Sequence, residues 1–314
     1  MPELPDVDVY VEHLARRTVG HALEKVRLAS PFLLRTADPP IGAVFGHEVQ
    51  RVSRLGKRIV FSFTPESKKA DALHLVIHLM IAGRFKWKAH GAAVPGRIGL
   101  AAFDFGAASA TKLGKSAPEK EAGTLILTEA SGKKRASLHL VRGAAALAAL
   151  APDGLEVLEA STDAFAERLR SENHTLKRAL TDPHLFSGIG NAYSDEILHR
   201  ARMSPLALTQ SLDAAKIERL LAAIRATLAQ WTTRLAQEAG DWPAKVTAFH
   251  PAMAVHGKFG QPCPECGAPV QRIVRADNET NYCARCQTGG KVLADRGLSR
   301  LLKDSWPKHI DELM

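Results

Sequence analysis

The sequence predicts an α+β fold, in which an N-terminal helix and an antiparallel β-sandwich precede a helical domain and a small cysteine-bearing hairpin. Two changes of pattern and one cysteine cluster support this fold class. Short apolar runs, separated by Gly, Pro or charged turns, occupy residues 22–150, as in sandwiches and barrels. After Pro152 the apolar residues recur at helical spacing. All four cysteines of the 314-residue chain then lie between residues 263 and 286.

The composition is that of a soluble globular protein with a surplus of basic residues. Hydrophobic residues make up 46% and charged residues 24%, which is ordinary for such proteins. The net charge of +9 favours polyanionic partners such as nucleic acid, although basic proteins without this role are common. No apolar run approaches the roughly 20 residues of a membrane span, and the start of the chain lacks a signal-peptide pattern. We therefore expect a cytoplasmic protein with reduced cysteines.

The first half of the chain is predicted to hold one helix and a series of strands. Residues 5–19 fit a short amphipathic helix, because Val7, Val11 and Leu14 share one face. The stretch from Glu129 to Lys134 is typical of a hairpin turn, and residues 104–122, rich in Gly, Ala, Ser and Lys, are typical of a surface loop. The predicted strands are Val49–Val52, Arg58–Phe63, Leu73–Leu79, Arg97–Phe103 and Gly123–Thr128.

The second half is predicted to be helical up to the cysteines. Thr162 and Asp213 are candidate caps for two of the helices. Leu298, Leu301 and Trp306 suggest one more helix in the tail. The predicted helices are 161–171, 173–182, 190–201 and 212–239, and the predicted segments of the whole chain are 1–150, 151–252, 253–290 and 291–314.

The cysteines have the spacing of a structural zinc site. Two C-x2-C pairs, Cys263 with Cys266 and Cys283 with Cys286, are separated by a stretch that can form a hairpin. Four thiolates leave no open coordination position, so the ion is expected to be structural. A redox pair or unrelated thiols is the alternative interpretation. The hairpin carries Gln271, Arg272 and Arg275, which we expect to face a partner, and this site alone fits a DNA-binding, RNA-binding or protein-binding module.

A glycine turn precedes the predicted helix that begins at Asn191. Residues 186–198 contain a G-x-G, but no strand precedes it and no third Gly follows, so a dinucleotide loop is excluded. Free N–H groups at the start of a helix bind phosphate, and we expect Gly190 and the side-chain amide of Asn191 to contribute. A glycine turn between packed helices explains the same residues equally well.

Two features near the N-terminus are weak when each is taken alone. Removal of Met1 before Pro2 would leave a secondary amine beside the carboxylate of Glu3. Most Met-Pro starts have no catalytic meaning. Lys57 lies in a basic stretch that includes Arg54 and Arg58, and such a run is more often a solvated face than a site.

Taken together, these motifs resemble the formamidopyrimidine-DNA glycosylase/endonuclease VIII family of base-excision repair enzymes. Family members begin Pro-Glu-Leu-Pro-Glu-Val after removal of Met, and this chain has Asp6 at the fifth of those positions. The resemblance covers nearly the whole chain in order. The segments that carry it are residues 2–7, Lys57, residues 78–83 (His-Leu-Met-Ile-Ala-Gly), residues 188–196 and residues 255–286.

The resemblance implies a bifunctional DNA glycosylase/AP lyase with a helix–two-turn–helix motif and one structural zinc. By this resemblance Pro2 is the nucleophile that forms an imine with the sugar, and Glu3 is the acid/base. Lys57 and Asn191 would hold the phosphates that flank a flipped nucleotide. The strand would be cut by β,δ-elimination. The implied partner is double-stranded DNA with a damaged base or an abasic site, bound by a monomer in a bacterial-type, nucleoid-associated setting.

Several positions depart from the family pattern. Asn278 stands where family fingers carry an Arg that grips phosphate, and Arg275 substitutes only by a shift of register. Ile81 aligns with the methionine that helps fill the void left by the flipped base, with Met80 beside it. The strand that corresponds to the family's wedge is expected at residues 138–143, and Arg142 is the basic candidate there. These departures leave open a second function, in which the protein binds damaged or branched DNA without catalysis.

Overall fold

The computed structural model describes the chain except for residues 68–69, 108–120, 245, 247–248, 276–277, 296 and 314. Most of the predicted surface loop 104–122 therefore lies outside the described residues. The chain forms two compact units, residues 1–151 with 232–246 and residues 152–231 with 247–314. The finer division predicted from the sequence, with boundaries at residues 150, 252 and 290, stays a prediction. Among the described residues, no helix combines the length and apolar character that crossing a membrane requires.

The first unit is a helix followed by two four-stranded antiparallel sheets, which confirms the predicted fold class for this half. Its elements are α1 (Leu4–Thr18), β1 (Leu23–Leu28), β2 (Val49–Leu55), β3 (Arg58–Phe63), β4 (Leu73–His78), β5 (Gly83–Ala89), β6 (Gly99–Phe105), β7 (Gly123–Glu129), β8 (Ser137–Arg142) and α2 (Gly143–Ala148). One sheet has the strand order β1–β6–β7–β5, and the other has the order β2–β3–β4–β8.

The core of this unit lies between the inner faces of the two sheets. Along β3, Ile59, Phe61 and Phe63 occupy alternate positions and are fully buried in the core. Phe61 stacks on Phe105 of the other sheet, with the ring centroids 6.0 Å apart. Apolar residues at alternate positions thus decide which face of each strand turns inward.

Helix α1 packs on this core through the face predicted from the sequence. Val7 and Leu14 are fully buried, and Val11 is half-buried against them. The helix begins after Glu3, with Pro5 in its first turn, where a missing N–H costs nothing. The side chains that precede the helix are therefore held by a well-anchored element.

The predicted hairpin from Glu129 to Lys134 is wrong. Strand β7 ends at Glu129 in one sheet, whereas β8 begins at Ser137 in the other sheet, so the chain crosses the sandwich. The buried carboxylate of Glu129 accepts hydrogen bonds from the backbone N–H groups of Arg135 and Ala136, which fixes this crossing. A local turn signal does not say which sheet the next strand will join.

The sequence prediction missed two strands and displaced a third. Strands β1 and β5 were missed because several of their side chains are charged, for example Lys86 and Lys88 on β5. Those side chains are exposed or half-buried while Phe85 is buried, as expected of a strand with one face on the core. The strand predicted over Arg97–Phe103 is Gly99–Phe105.

The second unit begins with helices that agree with those predicted from the sequence. They are α3 (Thr162–Arg170), α4 (Leu176–Thr181), α5 (Asn191–Arg200) and α6 (Ala214–Glu238), and the last residues of α6, from Thr232 on, belong to the first unit. Asp213 caps α6 as predicted, because its carboxylate accepts from the backbone N–H of Lys216 at 2.8 Å. The cap of α3 is Ser161 and not Thr162, since the Ser161 hydroxyl accepts from Ala164.

The cysteine module is a two-stranded hairpin with a short helix, as the spacing predicts. Strands β9 (Gln271–Arg275) and β10 (Asn278–Tyr282) pair antiparallel, and α7 (Ala284–Thr288) follows. The tail contains α8 (Leu298–Leu302), shorter than the helix expected there. It then returns to the hairpin, where Ile310 is fully buried in the same core cluster as Tyr282. The tail is therefore part of the finger's packing.

Replacing Arg202 by Gly is expected to stabilise the protein by about 1 kcal/mol. Arg202 follows α5 in the left-handed region, with φ 53°, a conformation that costs a side-chain-bearing residue about 1–2 kcal/mol and Gly far less. Urea unfolding with the Arg202→Ala variant as control measures the effect. Arg202→Ala keeps the strained backbone and should show no comparable gain. Equal stability of the Gly and Ala variants would contradict the account.

Candidate functional site

Pro2 and Glu3 lie buried at the start of α1. Glu3 is only 2% exposed and is the residue immediately before the helix. Its backbone N–H donates to the carboxylate of Asp6 at 2.9 Å. This bond satisfies one of the backbone donors that a helix start leaves unpaired. The Glu3 side chain is therefore held on a rigid element and away from bulk water.

Burial lowers the basicity of the terminal amino group next to this acid, and two nearby cationic groups add to the effect. Burial lowers the pKa of the Met1 amino group below its ordinary value, Glu3 opposes this shift, and Arg84 and Lys57 add to it. Burial likewise lowers the pKa of Lys57, against the pull of Glu3. A lowered amine pKa increases the fraction of neutral, nucleophilic amine at pH 7. The structure thus brings together Pro2, Glu3 and Lys57 as predicted, and adds Arg84.

Asp6 is a further buried acid in this cluster, and sequence reasoning missed its role. It is 3% exposed, and burial raises the pKa of its carboxyl from 3.8 to about 7. Asp6 therefore binds a proton near neutral pH, unlike a surface aspartate, which is ionised there. Its position beside Glu3 was visible in the sequence, but its burial was not.

The wild-type protein is expected to lose stability as the pH rises from about 4 to 7, and replacing Asp6 by Asn is expected to abolish this loss. The unfolded chain releases this proton near pH 4 while the folded chain keeps it until about pH 7, so stability falls with rising pH over that window. Each unit of pKa difference corresponds to about 1.4 kcal/mol. Asn keeps an oxygen that can accept from Glu3. Urea unfolding at pH 5 and pH 8 should show the variant gaining at least about 1 kcal/mol relative to wild type at the higher pH. An equal difference at both pH values would contradict this.

Ile81 lies in the turn that follows β4. Lys57 precedes β3, the neighbour of β4, at the same end of that sheet. The register pairs Arg58 with His78, and Lys57 is the residue before Arg58. Ile81 is 58% exposed although it is a large apolar side chain. The tight turn requires Gly at position 83, because a Cβ there would lie 2.2 Å from the carbonyl oxygen of Leu79. An apolar side chain is thus presented to solvent at this end of the sheet, and its role in filling a void in the duplex stays a prediction.

Arg142 does not lie at that end, which argues against its predicted role as a wedge. It pairs with Leu73, whereas His78 pairs with Ser137 at the other end of the same two strands. Five residues of strand separate the two ends, roughly 17 Å. The exposed basic residues Lys133, Lys134 and Arg135 precede Ser137 and lie at the correct end. Sequence reasoning missed them because the false hairpin assigned this stretch to a turn.

In the second unit, Asn191 is the first residue of α5 and already contacts the finger. Its side-chain Nδ2 donates to the carbonyl oxygen of Glu279 at 3.0 Å. The amide carries a second hydrogen, so it retains one donor for another acceptor. Gly190 precedes it as a buried, extended residue. The predicted helix start at Asn191 is confirmed, and phosphate binding there stays a prediction.

A buried ionic network behind Asn191 was not foreseen from the sequence. The side chain of Asp195 is fully buried, and it accepts from Lys177 Nζ at 2.5 Å and pairs with His256 Nδ1 at 2.7 Å. Lys177 Nζ also donates to the carbonyl oxygen of Asn191 at 2.6 Å. Asn281 of β10 donates its backbone N–H to Asp195 at 3.1 Å. The network therefore joins α4, α5 and the finger.

The four cysteines have the geometry of a tetrahedral metal site. All four sulfurs lie within 4.8 Å of one another. Two pairs measure 3.4 Å (Cys266 with Cys283) and 3.9 Å (Cys263 with Cys286). Zinc–thiolate bonds of about 2.3 Å in a tetrahedron place sulfurs roughly 3.8 Å apart. The donor set fits one structural zinc, as predicted.

The tip of the finger carries Arg275 and Asn278 opposite each other. These two residues pair across the hairpin and both are exposed. Arg272 is held against the finger itself, 4.2 Å from the ring centroid of Phe259. Gln271 is buried and donates to a neighbouring backbone carbonyl, so the expectation that it faces a partner is wrong. Of the three expected partner-facing residues, Arg275 is the exposed cation nearest the tip.

Comparisons with known proteins agree along most of the chain. Residues 1–120 match the formamidopyrimidine-DNA glycosylase N-terminal domain, residues 150–237 match the formamidopyrimidine-DNA glycosylase H2TH domain, and residues 260–289 match the zinc finger found in FPG and IleRS. A Lactococcus lactis Fpg, solved in complex with DNA containing an oxidised pyrimidine, superposes with a TM-score of 0.75 at 24% identity. It covers 91% of this chain and 100% of that chain. At this identity the superposition shows the fold alone.

Relatives by sequence establish the family. An uncharacterised formamidopyrimidine-DNA glycosylase-like protein of Mycobacterium tuberculosis is 42% identical over 156 residues, which are 49% of this chain and 95% of the relative. The formamidopyrimidine-DNA glycosylase of Acidothermus cellulolyticus is 30% identical over 300 residues, covering 91% of this chain and 97% of the relative. The chain therefore belongs to the formamidopyrimidine-DNA glycosylase family.

Proposed function

We propose that this protein is a DNA glycosylase with AP lyase activity, which removes oxidised bases from double-stranded DNA and cuts at abasic sites. The observation that carries the proposal is geometric: Pro2 lies buried beside the buried carboxylate of Glu3 at the start of α1, where the Met1 amino group that precedes it has Glu3, Arg84 and Lys57 as electrostatic neighbours. A neutral amine next to an acid is the arrangement that imine chemistry on a sugar requires. Family membership supports the same reaction class.

The chemistry begins once Met1 is removed and Pro2 carries a secondary amine. The amine attacks C1′ of the deoxyribose, the bond from C1′ to the base breaks, and the base leaves with a proton. The proton that the base takes comes from the attacking amine. Glu3 protonates the ring oxygen in the same step, so base release depends on it; the sugar opens, and a cationic iminium joins Pro2 to C1′. That cation acidifies C2′. Loss of the C2′ proton expels the 3′ phosphate by β-elimination, and a further elimination expels the 5′ phosphate. Water then hydrolyses the imine and restores the amine.

Groups suited to phosphate binding occur in each unit. In the first unit, Lys57 and the basic residues 133–135 lie at the same end of the sheet β2–β3–β4–β8. Asn191 opens α5 in the second unit, and Arg275 lies near the finger tip. Together with the net charge of +9, these groups support binding to the DNA backbone with an affinity that falls as salt rises.

The substrate class rests on chemistry and on the solved relatives. The amine attacks a sugar carbon, so the target nucleotide must leave the base stack. Exposed Ile81 is an apolar side chain of the kind that fills the space left in the duplex. Solved relatives were crystallised with DNA carrying an oxidised pyrimidine, a carbocyclic 8-oxo-G or an abasic site. This supports oxidised bases and abasic sites as substrates here.

Single-turnover reactions on defined duplexes test the proposal. Each duplex carries one formamidopyrimidine, one oxidised pyrimidine or one abasic site, and samples are analysed with and without hot alkali. Base release followed by strand breaks that need no alkali, with phosphate on both sides of the gap, is the expected result. Tight binding to the damaged duplex without base release or cleavage, by protein shown to lack Met1, would overturn the proposal and favour a non-catalytic DNA-binding role.

A further inference from the structure

A histidine from α5 contacts one of the finger cysteines. His199 Nε2 lies 3.2 Å from the Sγ of Cys263. Both side chains are buried, His199 at 6% exposure and Cys263 at 2%. His199 lies within the segment matched by the H2TH description and outside the one matched by the zinc-finger description. The contact therefore joins the helical part of the unit to its metal site.

When zinc is bound, the hydrogen bond between these two side chains runs from His199 as donor to Cys263 as acceptor. A metal-bound cysteine is a thiolate and accepts hydrogen bonds, so the imidazole must carry its proton on Nε2 and donate. Four thiolates around a dication leave an excess of negative charge, which a buried N–H donor partly offsets. Donors of this kind orient metal ligands and typically change metal affinity by about 10–100-fold when removed.

We propose that His199 is a positioning residue of the zinc site, whose Nε2–H donates to the Cys263 thiolate and ties the end of α5 to the finger. The start of the same helix is joined to the finger strand β10 by Asn191 and Asp195. The finger and α5 are thus connected at several points along the helix, and His199 provides the contact with a zinc ligand. Loss of the metal would release the finger strand that holds the Asn191 side chain. This inference concerns the metal site and does not depend on the catalytic proposal.

Zinc release from the full-length protein tests the inference. Zinc-loaded protein is mixed with excess chelator, and release is followed with a chromogenic zinc indicator. His199→Phe keeps a ring of similar volume but loses the donor, and we expect release at least about tenfold faster. His199→Gln can place an amide N–H near the position of Nε2 and should release zinc within about threefold of the wild-type rate. His184→Phe, at an exposed position of the same unit, is the control. Release from His199→Phe at the wild-type rate would overturn the inference.

A measurement on the unaltered chain separates this role from a simple packing role. In protein labelled with 15N-histidine and loaded with 113Cd in place of zinc, NMR reports which ring nitrogen of His199 is protonated. We expect the proton on Nε2, with a coupling from that proton to the metal through the sulfur. A proton on Nδ1 would make Nε2 an acceptor and would overturn the inference even if the variants fail to fold.

Discussion

Replacing Glu3 by Gln is expected to lower the rate of base release by roughly 10²–10⁴-fold, the usual contribution of a positioned acid or base. Glu3 is buried beside the terminal amine, and Gln has nearly the same shape but neither takes up nor releases a proton. The Glu3 side chain accepts from the backbone N–H of Asp6 in a capping box, and Gln keeps an oxygen that can accept this bond, so the start of α1 should stay intact. Single-turnover base release from a duplex with one lesion measures the effect.

Two controls make this result specific. Glu12→Gln alters an exposed acid on the same helix, one that forms an ion pair with Arg16, and should leave the rate unchanged. The affinity of Glu3→Gln for damaged duplex should equal or exceed that of wild type, because the change removes a negative charge near a polyanion. A rate for Glu3→Gln within about threefold of wild type would exclude Glu3 as the acid/base.

Replacing Asp195 by Asn is expected to destabilise the protein by about 3–5 kcal/mol. The carboxylate is fully buried and is paired with both Lys177 and His256. Removing its charge leaves a buried ammonium group without compensation, and the cost of desolvating that group is then no longer offset. Urea unfolding measures the loss. The finger should also loosen, because Asn281 of β10 donates to the same carboxylate.

An exposed pair provides the matched comparison. Asp213 and Lys216 are 2.8 Å apart at the start of α6, and both are about half exposed. Asp213→Asn keeps a good helix cap and removes an exposed ion pair, which solvent screening leaves with little effect on stability. If Asp195→Asn costs no more than Asp213→Asn, the buried network does not stabilise the unit. The double variant Lys177→Met with Asp195→Leu should recover part of the loss, because it removes the buried ammonium group, although His256 and the Asn281 N–H still lose their acceptor.

The elements that were predicted correctly are those whose signal is local. Helix α1 follows from the spacing of Val7 and Leu14, and the finger hairpin follows from the spacing of its cysteines. The partner of a strand is decided elsewhere in the chain. The turn after Glu129 therefore suggested a hairpin, although β7 and β8 belong to different sheets. Because of the same error, the basic residues 133–135 were not recognised as candidates, and Arg142 was predicted as the wedge instead.

The candidate site was likewise predictable only where its signal is local or carried by the resemblance. Pro2 and Glu3 are adjacent in sequence, and the resemblance to a family carried Lys57 and Asn191. The raised pKa of Asp6 was not predictable, because it depends on burial by distant elements. Lys177, Asp195 and His256 carry no shared motif and meet only because α4, α5 and the loop before the finger fold together. The contact of His199 with Cys263 likewise joins residues 64 positions apart.

Borohydride trapping on a duplex with a single abasic site tests the central claim most directly. Reduction of an imine leaves a stable covalent bond between protein and sugar, and peptide mapping by mass spectrometry identifies the nitrogen that attacked. We expect an adduct on the terminal amine of Pro2, in protein from which Met1 is absent and to which one zinc is bound. An adduct on Lys57 or another lysine, or no adduct from such protein, would contradict it.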